Sequence, residues 1–104
     1  MGFDLSVRFS DPNWYRHNRS HVADLARALP SALDESPGPD EIWLKVPRSD
    51  DAWVYEARIL LKEDALSIEA MVFSSVFHDE IRQFIAQLSH ECPAELIDDD
   101  GDPL

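Results

Sequence analysis

The chain has 104 residues, of which 44% are hydrophobic and 29% charged, a composition typical of a globular domain and not of a disordered segment. Nine Lys and Arg stand against 21 Asp and Glu, which gives a formal net charge of −12 and disfavours binding to nucleic acid or anionic membranes. The single cysteine, Cys92, excludes an internal disulfide framework, and we expect a cytoplasmic protein without a signal peptide or a membrane span.

The N-terminal third predicts one strand and one helix. Residues 3–9 alternate between apolar and polar side chains, which indicates a half-buried strand. After the turn-forming residues that follow it, we expect a loop rich in Arg and His as far as Ser20. Ser20 is a suitable N-cap for a helix whose apolar side chains recur at helical spacing, and Pro30 should end or kink that helix. The breaker DESPGPD then forms a loop within the domain.

Three segments of strand character follow, at 41–46, 53–62 and 66–73, and the short turns between them predict an antiparallel meander. A second helix comes next, and Pro93 ends it before a short final strand at 94–97. Its apolar stripe consists of Ile81, Phe84, Ile85, Leu88 and Cys92.

The predicted fold is α+β in the order β-α-β-β-β-α-β. An antiparallel sheet of four or five strands carries two helices packed on one face, which hides every apolar stripe at once. Residues 1–97 form the domain, and residues 98–104 form an acidic C-terminal tail.

The face of the predicted sheet that points away from the helices mixes large apolar side chains, such as Trp43, Leu60 and Phe73, with charged ones. A fully solvated face normally carries few large apolar side chains. Two interpretations stay open. Either the first loop, with Trp14 and Tyr15, or the C-terminal segment covers this face, or the face is an interface.

No pattern of catalytic residues is present. The paired acids lie in predicted turns, where water keeps carboxylates at ordinary acidity, and a general acid needs a sheltered carboxyl. His17 and His21 are four residues apart and Asp24 follows, but His17 precedes the expected cap, so surface histidines are the preferred interpretation over a metal site. We predict that the protein is not an enzyme and has neither a metal nor another cofactor.

A second candidate is a basic cluster near the start of the first predicted helix. Arg16, Arg19 and the free amides after Ser20 all present positive groups that suit an anion. Salt bridges between these arginines and the acidic half of the chain are the alternative explanation.

Four segments between residues 40 and 101 carry a resemblance to a known group: WLKV, ALSIEAMVF, EIRQFIAQL and AELIDDDG. The pattern resembles small acidic bacterial immunity proteins of contact-dependent inhibition and polymorphic toxin systems. Such proteins bind a toxin domain in the cytoplasm and block its active site. The resemblance implies no catalytic residues, and the contacting positions differ from one toxin to another.

Charge distribution indicates where the partner binds. Up to Arg48 the chain has six basic and seven acidic residues, whereas from Ser49 onward it has three basic and 14 acidic ones. Many toxins of this kind are nucleases with basic clefts, so we expect a basic toxin domain, a nuclease, as the partner of the acidic half. Trp53 is also a candidate core residue by alternation. The expected toxin-binding residues are Asp50, Asp51, Glu63, Asp64, Glu69, Asp98, Asp99, Asp100, Asp102, Trp43, Trp53 and Phe73.

Two other functions remain open. A nucleic-acid mimic that inhibits another basic protein would tolerate several basic partners, whereas an immunity protein discriminates among toxins. A homo-oligomeric ligand-binding domain would use the mixed sheet face for self-association and the region of Arg16 and Arg19 for an anion.

Overall fold

The computed structural model describes residues 3–34, 38, 40–45, 57–70, 75–98 and 100–103. Within these residues it contains five strands and three helices, so the fold is α+β as the sequence predicts. No helix in these ranges is both long and apolar enough to cross a membrane. The elements are β1 (Phe3–Phe9), α1 (Pro12–His17), α2 (Arg19–Arg27), β2 (Glu41–Leu44), β3 (Ala57–Leu61), β4 (Leu66–Ala70), α3 (Ser75–Ser89) and β5 (Ala94–Ile97).

The strands form one antiparallel sheet in the order β2-β3-β4-β1-β5. The predicted meander of β2, β3 and β4 is confirmed. The first strand lies between β4 and β5, so the chain's first and last strands are neighbours. Successive side chains of a strand point to opposite faces of the sheet, so every second residue of each strand points to the same side.

The helices pack on one face of the sheet, as expected, and the core lies between the two layers. Alternation places the small and branched apolar residues of the strands there, and the apolar stripes of the helices close over them. Cys92 was expected on the apolar stripe of the last helix, but α3 ends at Ser89 and Cys92 follows it; the side chain is nevertheless buried with this core. The largest fully buried side chains are Tyr15, Phe84, Ile42, Leu44, Ile59, Leu66, Ile68, Ile81, Leu88 and Val22.

The N-terminal loop expected before Ser20 is a helix instead. Asp11 caps α1, because its Oδ1 accepts the amide of Asn13 at 3.0 Å, and Pro12 occupies the first turn, where proline fits best. The short helix α1 ends at His17. Asn18 is its C-cap and is also the residue that directly precedes α2. Ser20 is therefore inside α2 and is not its N-cap. The described residues contain three helices where the apolar periodicity predicted two.

Tyr15 of α1 packs into the core and does not cover the outer side of the sheet. The Tyr15 ring stacks on the Phe9 ring at a centroid distance of 5.1 Å. The Trp14 ring also lies beside Phe9, at a centroid distance of 5.8 Å. The Tyr15 hydroxyl donates to the carbonyls of Lys62 and Ala65, at 2.8 and 3.1 Å, and so fastens α1 to the β3–β4 turn. Burial raises the pKa of Tyr15 to about 12.

A buried polar pair joins α3 to the segment between α2 and β2. The Glu80 carboxylate accepts the Ser31 amide at 3.1 Å and also accepts the Ser31 hydroxyl, and both residues are buried. Because a buried carboxylate needs hydrogen-bond donors, this pair fixes the position of the segment relative to the helix. Glu80 is thus a structural residue, in the second turn of α3.

The segment expected to be an acidic tail forms, in its described residues, an ordered turn. The Asp98 Oδ1 accepts the amides of Asp100 and Asp102, both at 2.9 Å, and the Asp98 amide donates to the Asp102 carbonyl at 2.9 Å. Gly101 has φ of 88°, a conformation that suits glycine, and this lets the chain reverse. Asp98, Asp100 and Asp102 therefore belong to a hydrogen-bonded turn that directly follows β5.

Candidate protein-binding face

We call the side of the sheet that points away from the three helices the outer face. Strand register arranges its side chains in rows that cross the sheet. One row contains Trp43, Arg58, Glu69 and Asp4, on β2, β3, β4 and β1 respectively. The adjacent row contains Leu60, Ser67, Ser6 and Ile97, on β3, β4, β1 and β5. Polar and apolar side chains are therefore interleaved across the whole face.

An ion network holds the β2 end of the outer face in place. Arg58 donates from Nη1 to Glu41 at 3.3 Å and reaches Glu69 from Nε at 2.9 Å and from Nη2 at 2.7 Å. The indole nitrogen of the half-buried Trp43 donates to the same Glu41 carboxylate at 2.6 Å. Because the guanidinium also binds the carboxylate that anchors the indole, Trp43 is held in a fixed position.

Between this network and the C-terminal turn lies a concavity of about 550 Å³, which we call the outer hollow. Its centre is formed by Ser6 and Ser67, which are direct neighbours in the sheet and have short side chains. Ser6 is exposed and Ser67 is half-buried, so among the described residues neither the first helix nor the C-terminal turn hides this centre completely. The residues that line the hollow are Asp4, Leu5, Ser6, Leu60, Lys62, Ser67, Glu69, Ile97, Asp98 and Gly101.

Two like charges stand directly opposite each other at one end of the outer hollow. Asp4 of β1 is the register partner of Glu69 of β4. Glu69 has an ion pair with Arg58, whereas Asp4 is exposed and has no ion pair among the residues that the structure describes. Like charges in directly opposed positions of an antiparallel pair are destabilising. This end of the hollow therefore favours a cation.

The structure separates the acids that the sequence suggested as one surface. Trp43, Glu69 and Asp98 lie on the outer face or at its border, and Asp100 and Asp102 are exposed in the adjoining turn. Asp50, Asp51, Trp53, Phe73 and Asp99, also expected in the binding surface, lie outside the described residues.

Glu63 and Asp64 belong to the β3–β4 turn and lie near α1 instead. The Asp64 Oδ1 is 3.7 Å from Arg16 Nε, and Glu63 borders the basic cluster. The structure therefore does not bring this pair of acids to the outer hollow with Glu69 and Asp98.

Asp4, which sequence reasoning missed, is part of the outer hollow. The alternation of β1 already placed its side chain on the polar side of the strand. The missing information was the register with β4, which brings Asp4 beside Glu69.

The residues of the basic cluster near α2 lie together as expected, but carboxylates neutralise its arginines. Arg16, Arg19 and Ser20 share a hollow of about 560 Å³ with His17 and Glu63. Carboxylates face both arginines, since Asp64 is 3.7 Å from Arg16 and Asp40 is 3.6 Å from Arg19. These distances favour the salt-bridge interpretation over a dedicated anion site.

The two histidines at metal-motif spacing have other surroundings. The His21 Nε2 is 2.6 Å from the Glu91 carboxylate, which links α2 to the end of α3, and Asp24 is 3.5 Å from Arg27. In the described ranges no group of three or more metal-binding side chains comes together.

Both edges of the sheet are hydrogen-bonded in part to other segments of the chain. On β2, the Leu33 amide donates to the Trp43 carbonyl at 2.8 Å, and the Lys45 amide donates to the Ser31 carbonyl at 2.9 Å. On β5, the Ser89 hydroxyl is 3.2 Å from both the amide and the carbonyl of Ala94, and the C-terminal turn follows directly. Addition of a partner strand is therefore disfavoured, and side chains of the outer face are the better candidates for recognition.

Comparison with known proteins adds no family. No family model matches the chain, and neither a curated protein nor a solved structure matches it. The functional argument therefore depends on the geometry and charge of the outer face.

Proposed function

We propose that the protein is a bacterial immunity protein that binds a basic toxin domain, a nuclease, and blocks its active site. The observation that carries the proposal is the outer hollow, a concave and partly apolar surface with three carboxylates and one ammonium group in its lining. Asp100 and Asp102 add charge in the turn beside it. With this proposal we also assign the cytoplasm, where such proteins meet their toxins.

Charge complementarity supports a basic partner. A nuclease cleft holds lysines and arginines that bind phosphates, and carboxylates can occupy the same positions because both groups accept hydrogen bonds from cations. The net charge of −12 should accelerate encounter with such a cleft, and the acceleration should fall as salt is added.

Apolar contacts on the same face supply the second requirement for tight binding. Binding energy in protein interfaces is concentrated in a few large side chains near the centre, with tryptophan strongly represented. Trp43 is such a side chain, because the contact of its indole with Glu41 fixes it before any partner arrives. Leu60 extends the apolar surface toward the hollow. A prearranged anchor loses less conformational freedom on binding.

Self-association through the outer face is less favoured. Two copies would bring the same acidic hollow against itself, and like charges across an interface oppose association. The covered strand edges also disfavour a continuous sheet between copies. A nucleic-acid mimic has the same acidity and differs from an immunity protein in tolerating several basic targets.

The test is a titration with the toxin domain encoded immediately upstream of the gene, at two salt concentrations. We expect tight 1:1 binding, a slower association rate at the higher salt and loss of the toxin's activity. Unrelated basic nucleases of similar net charge are the matched controls and should bind far more weakly. Comparable binding to all of them would favour the mimic, and no binding to the upstream domain at either salt would refute the proposal.

A further inference from the structure

The outer hollow offers a cation-binding end and an apolar passage that leads to it. Asp4 and Glu69 stand opposite each other at the cationic end, and one side of Glu69 is already occupied by Arg58. The register thus places two carboxylates on directly opposed residues, an arrangement that an additional cation from outside would stabilise. Among the residues that the structure describes, this end of the sheet face is open, and its charge and shape are complementary to a basic side chain.

The remaining lining favours a long side chain with an apolar stem. Ser6 and Ser67 leave room at the centre, and the apolar carbons of the half-buried Leu60 lie beside them in the same row, whereas Ile97 at the other end of that row is buried. The aliphatic part of an arginine or lysine can lie along such apolar groups while its charged end reaches the carboxylates. Lys62, the basic group in the lining, directly follows β3 and is four residues after Arg58, the β3 member of the Glu69 row, a separation of about 13 Å.

Arginine fits this end better than lysine. A guanidinium is planar and presents several donors in a fixed fork to a carboxylate, whereas an ammonium group acts as a point charge. The protein already contains a forked contact of this kind, since the Arg58 Nε and Nη2 both reach the Glu69 Oε2, at 2.9 and 2.7 Å. Asp4 is exposed in the same row. Its carboxylate can therefore bind a second guanidinium, supplied by a partner.

We propose that the outer hollow receives one arginine side chain of the toxin, which binds between Asp4 and Glu69. This inference rests on the proposed function and makes it more specific. An arginine that binds phosphate in the toxin's cleft would be withdrawn from nucleic acid when it enters the hollow. Inhibition would then follow from the contact itself.

The first test compares two variants that each remove one negative charge. Asp4→Asn removes the repulsion in the hollow, so we expect its thermal midpoint to rise by more than that of Asp79→Asn, at an exposed position on α3. Its affinity for the toxin should nevertheless fall by about 30-fold. Asp79→Asn should change affinity by less than about threefold, because it lies on the helical side.

The second test fills the hollow without changing charge. Ser67→Tyr should abolish high-affinity binding, and tyrosine suits a strand, so the fold should be retained. Ser20→Tyr places the same side chain on exposed α2, beside the basic cluster, and should leave affinity unchanged. A toxin that binds wild type, Asp4→Asn and Ser67→Tyr equally tightly would overturn the arginine site and leave the proposed function intact.

A titration without toxin separates the two proposals. N-acetyl-arginine methylamide should shift the amide resonances of Ser6 and Ser67 more than the lysine analogue does at equal concentration, and Ser67→Tyr should lose the effect. If the upstream domain fails to bind while the arginine probe does bind in the hollow, the proposed partner is refuted and the arginine preference stands. If neither probe shifts these resonances, the arginine site is refuted.

Discussion

Replacing Tyr15 by phenylalanine should produce a stability difference from the wild type that reverses with pH. The hydroxyl is the part of the side chain that is lost, and it donates to the Lys62 and Ala65 carbonyls in the β3–β4 turn. At neutral pH the variant leaves these carbonyls without that donor. We expect it to be less stable than the wild type by about 1–1.5 kcal/mol, the usual net value of such a hydrogen bond.

Ionisation acts in the opposite direction at high pH. Burial raises the Tyr15 pKa from 10.0 to about 12, so neutral Tyr15 stabilises the fold fully below pH 10, and this contribution is lost as the pH rises toward 12. A shift of this size corresponds to about 2.7 kcal/mol in total, with about 1.4 kcal/mol lost at pH 11. The variant has no hydroxyl to ionise at this position, so the two stability curves should cross at about pH 11.

The measurement is urea denaturation of both proteins at intervals from neutral pH to pH 12. Comparing the difference between the two free energies of unfolding removes the titration of groups that they share. A difference that stays constant over the whole range would refute the reasoning, because it would mean that the folded protein does not restrain the ionisation of Tyr15.

Three further predictions concern single contacts. Glu80→Ala should lower the free energy of unfolding by about 2–3 kcal/mol, since the buried donors of Ser31 lose their acceptor; a loss below half of this would contradict that role. A double-mutant cycle on His21 and Glu91 should give a coupling energy below about 1 kcal/mol, as for other exposed pairs, and a larger value would show that the contact is sheltered. Asp98→Ala should speed hydrogen exchange at the two amides that the carboxylate accepts, whereas Asp98→Asn, which keeps an acceptor oxygen, should change exchange far less.

The sheet could be predicted because its signals are local. A period of two places Ile59 and Ile68 on one face and Arg58 and Glu69 on the other, and the structure confirms both assignments. The helix α1 was not predicted, because its six residues are too few to show a helical period of apolar side chains. Its only clear signal was the Asp-Pro pair at residues 11 and 12, which is equally typical of a turn.

The candidate site could be predicted only in part, because its residues are brought together by long-range pairing. Asp4 and Glu69 are 65 positions apart, and no local pattern relates them before the register of β1 with β4 is known. Glu63 and Asp64 precede Glu69 closely in sequence, yet the reversal of the chain at the β3–β4 turn directs them toward α1. Net charge identifies an acidic half of the chain but not which acids share a face.

The interior position of β1, between β4 and β5, also has a consequence for synthesis on the ribosome. The first strand acquires one neighbour only when β4 has emerged and the other only when β5 has, and the pair Arg8 and Glu95 spans 87 positions. At about 5–20 residues per second, β1 waits several seconds with an unpaired edge. During that interval its apolar residues are open to chaperones and to other nascent chains. Sequence changes that favour early helix formation should therefore do little for yield, whereas changes that keep β1 from aggregating should help.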